Sequence, residues 1–264
     1  MLKQVLYLVI IAAVAAGCSR KSDPGGDGKV IILMYHIITE GEATDLYERS
    51  IADFESDLVY LKNNDIAVIG FVELEEMVRK GTNPHKNMAI ITFDDGYQSW
   101  LTTAKPILLK HDMKATFFLW VSQIGTESFL TWEEVDLMSH YTNDAGVRPF
   151  IFASHTMSHH FLQDMKNTFP LPADYASYLD DELGMSKSLI ESVTHTAVNV
   201  LALPYGNGAG DEDIIAAAIR NGYRCIRTSA WGAIRPDEAD LYNLPSLPML
   251  NSTASEEIGD YLGL

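Results

Sequence analysis

Cysteine is scarce in this chain: there are two in 264 residues, too few for a disulfide framework. Basic residues are scarce too, with 19 Lys and Arg against 36 Asp and Glu and a net charge of -17. A nucleic-acid-binding protein needs a basic footprint to neutralise phosphates, so this balance excludes that class of partner. No internal repeat is present, which excludes solenoids and propellers. One long apolar run exists, Val5–Ala16, and it is too short for a stable membrane span. What the chain does contain is 47% hydrophobic residues, enough for a substantial core in a single α/β domain of this length.

The N-terminus has the layout of a secretory signal: Lys3, then the apolar run, then Val14-Ala15-Ala16-Gly17-Cys18. Small residues directly before a cysteine resemble the lipobox of bacterial lipoproteins. That resemblance implies a signal peptide over 1–17, lipid on Cys18, and export to the cell envelope with attachment to a membrane through the lipid. The polar, Gly-rich residues up to Lys29 read as a flexible tether, so that 18–29 link the anchor to a domain over 30–264. With Cys18 lipidated, Cys225 has no partner, and its apolar surroundings predict a buried, inert thiol.

From Val30 onward, strand-like and helix-like segments alternate. Strands are expected over 30–35, 67–69, 88–93, 115–120, 150–153, 198–203 and 223–228. Helices are expected over 51–61, 72–80, near 100–111, then 131–140, 180–192, 211–221 and 254–262. Thr131 with Glu134 forms a capping-box signature, and Gly81 and Gly222 stand where helices should stop. This alternation implies a mainly parallel sheet, doubly wound or closed as a barrel, with chemistry at the carboxyl ends of its strands.

Two motifs stand at such ends. Thr92-Phe93-Asp94-Asp95-Gly96 closes an apolar strand with two adjacent carboxylates. These are costly there unless something positive holds them. Successive strand side chains point to opposite sides, so one acid can bind a metal while the other handles protons; an Asp-Asp-Gly turn is the plain alternative. The second motif, Ser154-His155-Thr156-Met157-Ser158-His159-His160, follows another strand. One helical turn would put His155 and His159 on one face, and with a carboxylate they make a His-His-Asp metal set that leaves positions for water. His160 is the alternative second ligand.

Together these motifs resemble the polysaccharide deacetylase family, the family 4 carbohydrate esterases. Thr92–Gly96 matches T-F-D-D-G, His155–His159 matches H-[ST]-x-x-H, and Leu203-Pro204-Tyr205-Gly206 matches a third signature ending in Pro-Tyr. The resemblance implies a distorted (β/α)7 barrel in a single domain. It also implies an N-acetylated polysaccharide as partner and a divalent metal, zinc first, on Asp95, His155 and His159. Asp94 becomes the general base, and Tyr205 lends its backbone N–H to the oxyanion. The family's Leu-x-x-His element is absent near the C-terminus but present as Leu33-Met34-Tyr35-His36, as in the permuted branch of poly-N-acetylglucosamine deacetylases. His36 is then the candidate general acid, acting as imidazolium. Leu33, Pro204 and Trp231 are candidate substrate contacts, Trp231 as part of a wall for the acetyl group. Two family arginines are missing, with Ala202 and Ser246 in their places, and Arg224 or Arg227 is the candidate substitute. A glycan binder without activity and an O-acetyl esterase are the rival readings.

Overall fold

A parallel strand covered on both faces reads as an unbroken apolar run, and Val30–Tyr35 (β1) is buried at all its positions. The computed structural model describes residues 25–264; the expected signal peptide and Cys18 lie outside them. Five further strands follow β1 across the sheet in chain order: Met88–Asp95 (β2), Ala115–Leu119 (β3), Phe150–Ser154 (β4), Val200–Ala202 (β5) and Cys225–Arg227 (β6). Every neighbouring pair among them is parallel. A short last strand, Leu247–Pro248 (β7), pairs with the edge of β1 away from β2, beyond the antiparallel pairing of Ala233 and Ile234 with Ile31 and Val30, while Leu244 just before it bridges to Arg227 of β6. The sheet therefore curls into a partly closed barrel whose two edges meet through residues 244–248. Helices cover its outside, as the alternating pattern requires.

Register is set by a row of aromatic side chains on the outward face. Tyr35, Phe93, Phe117 and Phe152 are direct cross-strand partners through β1–β4. Their rings stack with centroids 5.3, 5.1 and 5.4 Å apart. Each such pair adds about 0.5–1.5 kcal/mol beyond the area it buries. A slip of one residue in any strand would break the row and turn that strand's whole apolar set to the wrong face. Inward-facing positions belong to a second cluster that includes Val30, Ile32, Ile90, Phe118 and Ala153.

A buried polar knot joins the two ends of the domain. Arg49 grips Asp57 with two hydrogen bonds, 2.7 and 3.0 Å, and donates to the carbonyls of Leu250 and Thr253 at 2.8 and 2.6 Å. Asp57 also accepts from the Tyr35 hydroxyl at 3.0 Å and from Ser255 at 2.7 Å. All donors and acceptors face each other in the interior, the arrangement in which a buried ion pair is tolerated. The knot fixes the turn that carries Leu250.

Three expectations differ in extent. The helix near Trp100 opens as a π-helix over Trp100–Ala104 before an α-helix over Lys105–Lys110. Pro106 has no N–H to give to the carbonyl four residues back, and the wider turn absorbs that loss. The helix expected over 180–192 runs from Pro172 to Thr194. Residues 26–29, expected in the tether, pack on the domain instead, with the N–H groups of Gly26 and Gly28 donating to Asn83 and Pro84 carbonyls. Phe117 sits in the middle of the aromatic row, so Phe117→Ala is expected to lower unfolding stability by about 3–5 kcal/mol, measured by urea denaturation.

Candidate active site

Phe93 is the last ring of β2, and Asp94 and Asp95 follow it directly. Asp94 keeps strand geometry and shares the inward parity of Ile90 and Thr92, whereas Asp95 turns out of it at φ 88° and Gly96 continues at φ 112°. A side chain at Gly96 would meet the Ile124 methyl at 2.6 Å, so the residue after the two acids is held to glycine by both φ and space.

His155 begins the turn after β4, and its N–H donates to the Leu119 carbonyl at 2.9 Å. The turn is not the helical one expected from the four-residue spacing. Thr156 and His159 adopt left-handed φ values of 67° and 57°, and the chain folds back on itself. Ser154 accepts from the Thr156 N–H at 3.1 Å, Thr156 from the His159 N–H at 3.0 Å, and the buried Glu182 from the Ser158 N–H at 2.9 Å. The imidazoles converge all the same. Of the eight non-glycine residues with positive φ among those described, Asp95, Thr156, His159 and Tyr205 belong to this site. Strain of this kind persists where the surrounding structure over-determines it.

Asp95, His155 and His159 each offer a ligand atom, and all three atoms lie within 4.8 Å of one another. The His155 Nδ1 faces the Ala202 carbonyl at 2.9 Å. A carbonyl only accepts, so the proton is on Nδ1 and the Nε2 lone pair points into the site. That Nε2 stands 3.0 Å from His159 Nε2 and 3.5 Å from Asp95 Oδ1. Asp95 Oδ1 is buried without a hydrogen-bond partner among the described residues. Converging lone pairs and an unpartnered carboxylate oxygen are a donor set that a divalent cation fits. Burial holds both histidines neutral, lowering His155 to about 3 and His159 to about 4, against a smaller opposing pull from Asp94. Burial and the neighbouring Asp94 push the Asp95 carboxyl up to about 7. The Tyr97 hydroxyl hydrogen-bonds Asp95 and opposes that rise.

Asp94 is the other half of the site. Burial raises its pKa, but Arg227 first, then His155 and His36, more than offset this and hold it below the ordinary carboxylate range. The Arg227 guanidinium is fully buried; its Nη2 donates to Asp94 Oδ2, its Nη1 to Met34 Sδ at 2.8 Å, and its Cζ lies 5.1 Å from the centroid of the Phe118 ring. Arg227 thus supplies the positive partner for the base. Arg224 does not: it pairs with Glu75 at 3.2 Å. Ser246 is buried beside Arg227's space, donating to the Thr228 carbonyl at 2.7 Å with its oxygen 4.0 Å from the same Met34 sulfur. The arginine reaches this spot from β6 instead of from the closing segment.

Asp94, Asp95, His155 and His159 line an open cleft of about 380 Å³, with His36, Tyr205 and Trp231 among its walls. His36 is in place, but burial lowers it to about 4. It is therefore neutral near pH 7, not the imidazolium expected. Tyr205 stands at φ 55°, and its N–H has no backbone acceptor among the described residues. Trp231 is 55% exposed at the cleft mouth. Two expected contacts are corrected. Leu33 points outward into the main core and is fully buried, because strand parity gives the cleft to Met34. Pro204 is buried and sets the turn under Tyr205 without lining the cleft. His160 lies outside the ligand set, 2.9 Å from the Tyr178 hydroxyl. Tyr47, Tyr97, Trp120 and Leu250 also line the cleft and were not expected from sequence. Trp120 stands directly after β3, where the carboxyl-end rule could have found it; Tyr47 and Leu250 are on loops with no local signal.

A curled parallel sheet with paired acids and two histidines at its carboxyl end defines the class. The polysaccharide deacetylase family model matches residues 81–226, more than half of the chain, and the chain belongs to that family. YxkH of Bacillus subtilis is 28% identical over 234 residues, covering 89% of this chain and 76% of YxkH. The poly-beta-1,6-N-acetyl-D-glucosamine N-deacetylase of Staphylococcus epidermidis is 26% identical over 251 residues, covering 92% of this chain and 80% of that protein. The structure of Streptococcus pyogenes deacetylase PplD in complex with acetate has a TM-score of 0.74 at 22% identity, covering 89% of this chain and 98% of that one; it shares the fold.

Two outcomes follow from the charges. Below pH of about 7 a cation must displace the Asp95 proton, while both histidines stay neutral. Zinc affinity should therefore level off above pH 7 and fall about tenfold per unit below it, measured by chelator competition. Arg227→Met leaves Asp94 buried without its counter-charge, and a stability loss of about 3 kcal/mol is expected in urea unfolding at pH 7.

Proposed function

We propose that the chain is a metal-dependent hydrolase that removes N-acetyl groups from an amino-sugar polymer of the cell envelope or of an exopolysaccharide. The observation that carries this reading is the convergence of Asp95, His155 and His159 on one point with Asp94 beside it in an open cleft. The poly-N-acetylglucosamine deacetylase among the relatives supports the substrate class.

A divalent cation on Asp95, His155 and His159, zinc being the first candidate, would supply Lewis acidity to the acetyl carbonyl and lower the pKa of a water molecule. Asp94, ionised and held by Arg227, accepts the proton of the attacking water. The Tyr205 N–H serves as the donor to the developing oxyanion; one such donor is worth about 3 kcal/mol of barrier. The amine leaves only when protonated. The proton that Asp94 takes from the attacking water is the one the amine needs, and His36, neutral at rest, relays it to the leaving nitrogen. Trp231, Met34 and Leu250 form the apolar part of the wall around the acetyl group. Arg227 gives Asp94 a buried positive partner, which weighs against an inactive glycan binder. Attachment to a membrane through lipid on Cys18, after removal of residues 1–17, completes the reading; the small residues before Cys18 and the apolar run support it.

Asp94→Asn should lower acetate release from N-acetylglucosamine oligomers by at least about 100-fold while metal analysis still finds bound cation. His155→Ala should lose the cation. Full turnover in Asp94→Asn would overturn the assignment of roles. An ester leaving group needs less protonation than an amine. His36→Ala should accordingly reduce amide hydrolysis about 100-fold and hydrolysis of an O-acetyl ester by clearly less, compared as kcat/KM for the two substrates.

A further inference from the structure

Four aromatic rings run in a row from the metal-ligand set to the outer rim of the cleft. Trp120 lies nearly flat on His159, with centroids 4.5 Å apart and planes at 21°. Tyr205 meets His159 at a steep angle, 5.0 Å and 65°. Phe161 then stacks on Tyr205 at 4.5 Å with planes only 9° apart. The last two rings are open to solvent, Tyr205 by 56% and Phe161 by 47%. Tyr205 lines the cleft and Phe161 stands just outside it, so the pair carries an apolar surface from the cleft out over the rim.

Both rings are held from behind. Tyr205 sits in its left-handed turn between Pro204 and Gly206, and a side chain on Gly206 would come within 3.0 Å of the Ser229 nitrogen. Phe161 precedes the fully buried Leu162, and the next residue, Gln163, ties its N–H to the Asn207 side chain at 2.7 Å. The Phe161 segment and the Tyr205 segment are thus fastened to each other. A stacked pair that leaves about half of each ring in water gains less for folding than a buried pair would, and an exposed apolar surface continuous with a binding cleft marks a binding surface. A fixed ring also costs little conformational entropy when a ligand docks.

We propose that the Phe161–Tyr205 pair is a platform for a second sugar of the polymer, next to the residue being deacetylated. A pyranose ring presents a face of C–H groups that stacks on an aromatic face, with its hydroxyls left at the edges to stay hydrated. Neutral N-acetylated sugars meet this requirement, and a polymer entering the cleft brings a neighbouring ring past the rim. The identity of the occupant rests on the deacetylase reading above. The platform makes the protein prefer oligomers over single sugars.

The test uses the full chain with Asp94→Asn to stop turnover. Binding of N-acetylglucosamine and of its β-1,6-linked dimer, trimer and tetramer is measured by calorimetry. Affinity should rise with chain length. Adding Phe161→Ala should weaken tetramer binding about fivefold to tenfold, with a clearly smaller loss for the single sugar, and Phe161→Trp should restore the length preference. A Phe161→Ala loss equal for all lengths, or absent for all of them, overturns the platform. So does a change confined to self-association in sedimentation, which would make the pair a protein contact. Acetate release by the wild-type chain is followed separately. Length-dependent binding without release would overturn the deacetylase reading and keep the platform; release with affinities blind to Phe161 would do the reverse.

Discussion

The register of four parallel strands is the constraint on which the site depends. Tyr35, Phe93, Phe117 and Phe152 stack in one row on the outer face, and each strand reaches the cleft within the few residues that follow its ring. His36 follows Tyr35, Asp94 and Asp95 follow Phe93, Trp120 comes after Phe117, and His155 after Phe152. The non-directional gain of burying large rings is thereby converted into placement of polar groups at one end of the sheet. The same parity decides that Met34 faces the cleft and Leu33 does not.

The second organising fact is how few positive charges the site uses. Two carboxylates emerge side by side in the interior, and a single arginine compensates one of them. Arg227 is aligned with Asp94 by its hydrogen bond, by the Met34 sulfur and by the Phe118 face. Asp95 has no such partner and takes up a proton near neutrality. The two acids, adjacent in sequence, are driven apart in proton affinity by where one cation stands, which is the general way paired carboxylates divide their roles.

Much of this was legible in the sequence. The strands appear as short apolar runs because both of their faces are buried, and Gly81 closes its helix with φ 61° as a helix-ending glycine should. Thr131 and Glu134 form the capping box that their spacing announced. Asp95, His155 and His159, which come together in space, could be named in advance because a set able to hold a metal comes in short, dense motifs. What stayed hidden depends on distant residues. Arg227 could be named only beside Arg224, since choosing between them requires knowing which strand face looks inward. Tyr47 and Leu250 reach the cleft through loops pinned by Arg49, a long-range knot with no local trace. The neutral state of His36 follows from burial, which a motif does not report. The turn at Thr156 looked helical because a four-residue spacing is equally served by a tight reversal.

The short segment from Leu244 to Met249 bonds to both edges of the sheet, to β6 through Leu244 and to β1 through Leu247 and Met249. Everything that would grip the cation lies between residues 95 and 159, whereas the counter-charge of Asp94 and the far wall of the cleft come from residue 227 onward. A polypeptide threaded out N-terminus first thus presents a complete ligand triad well before the barrel has its final stave. The triad and the counter-charge of the base are completed at different lengths of chain, and only closure across a wide sequence separation, the slowest kind of contact to form, unites them.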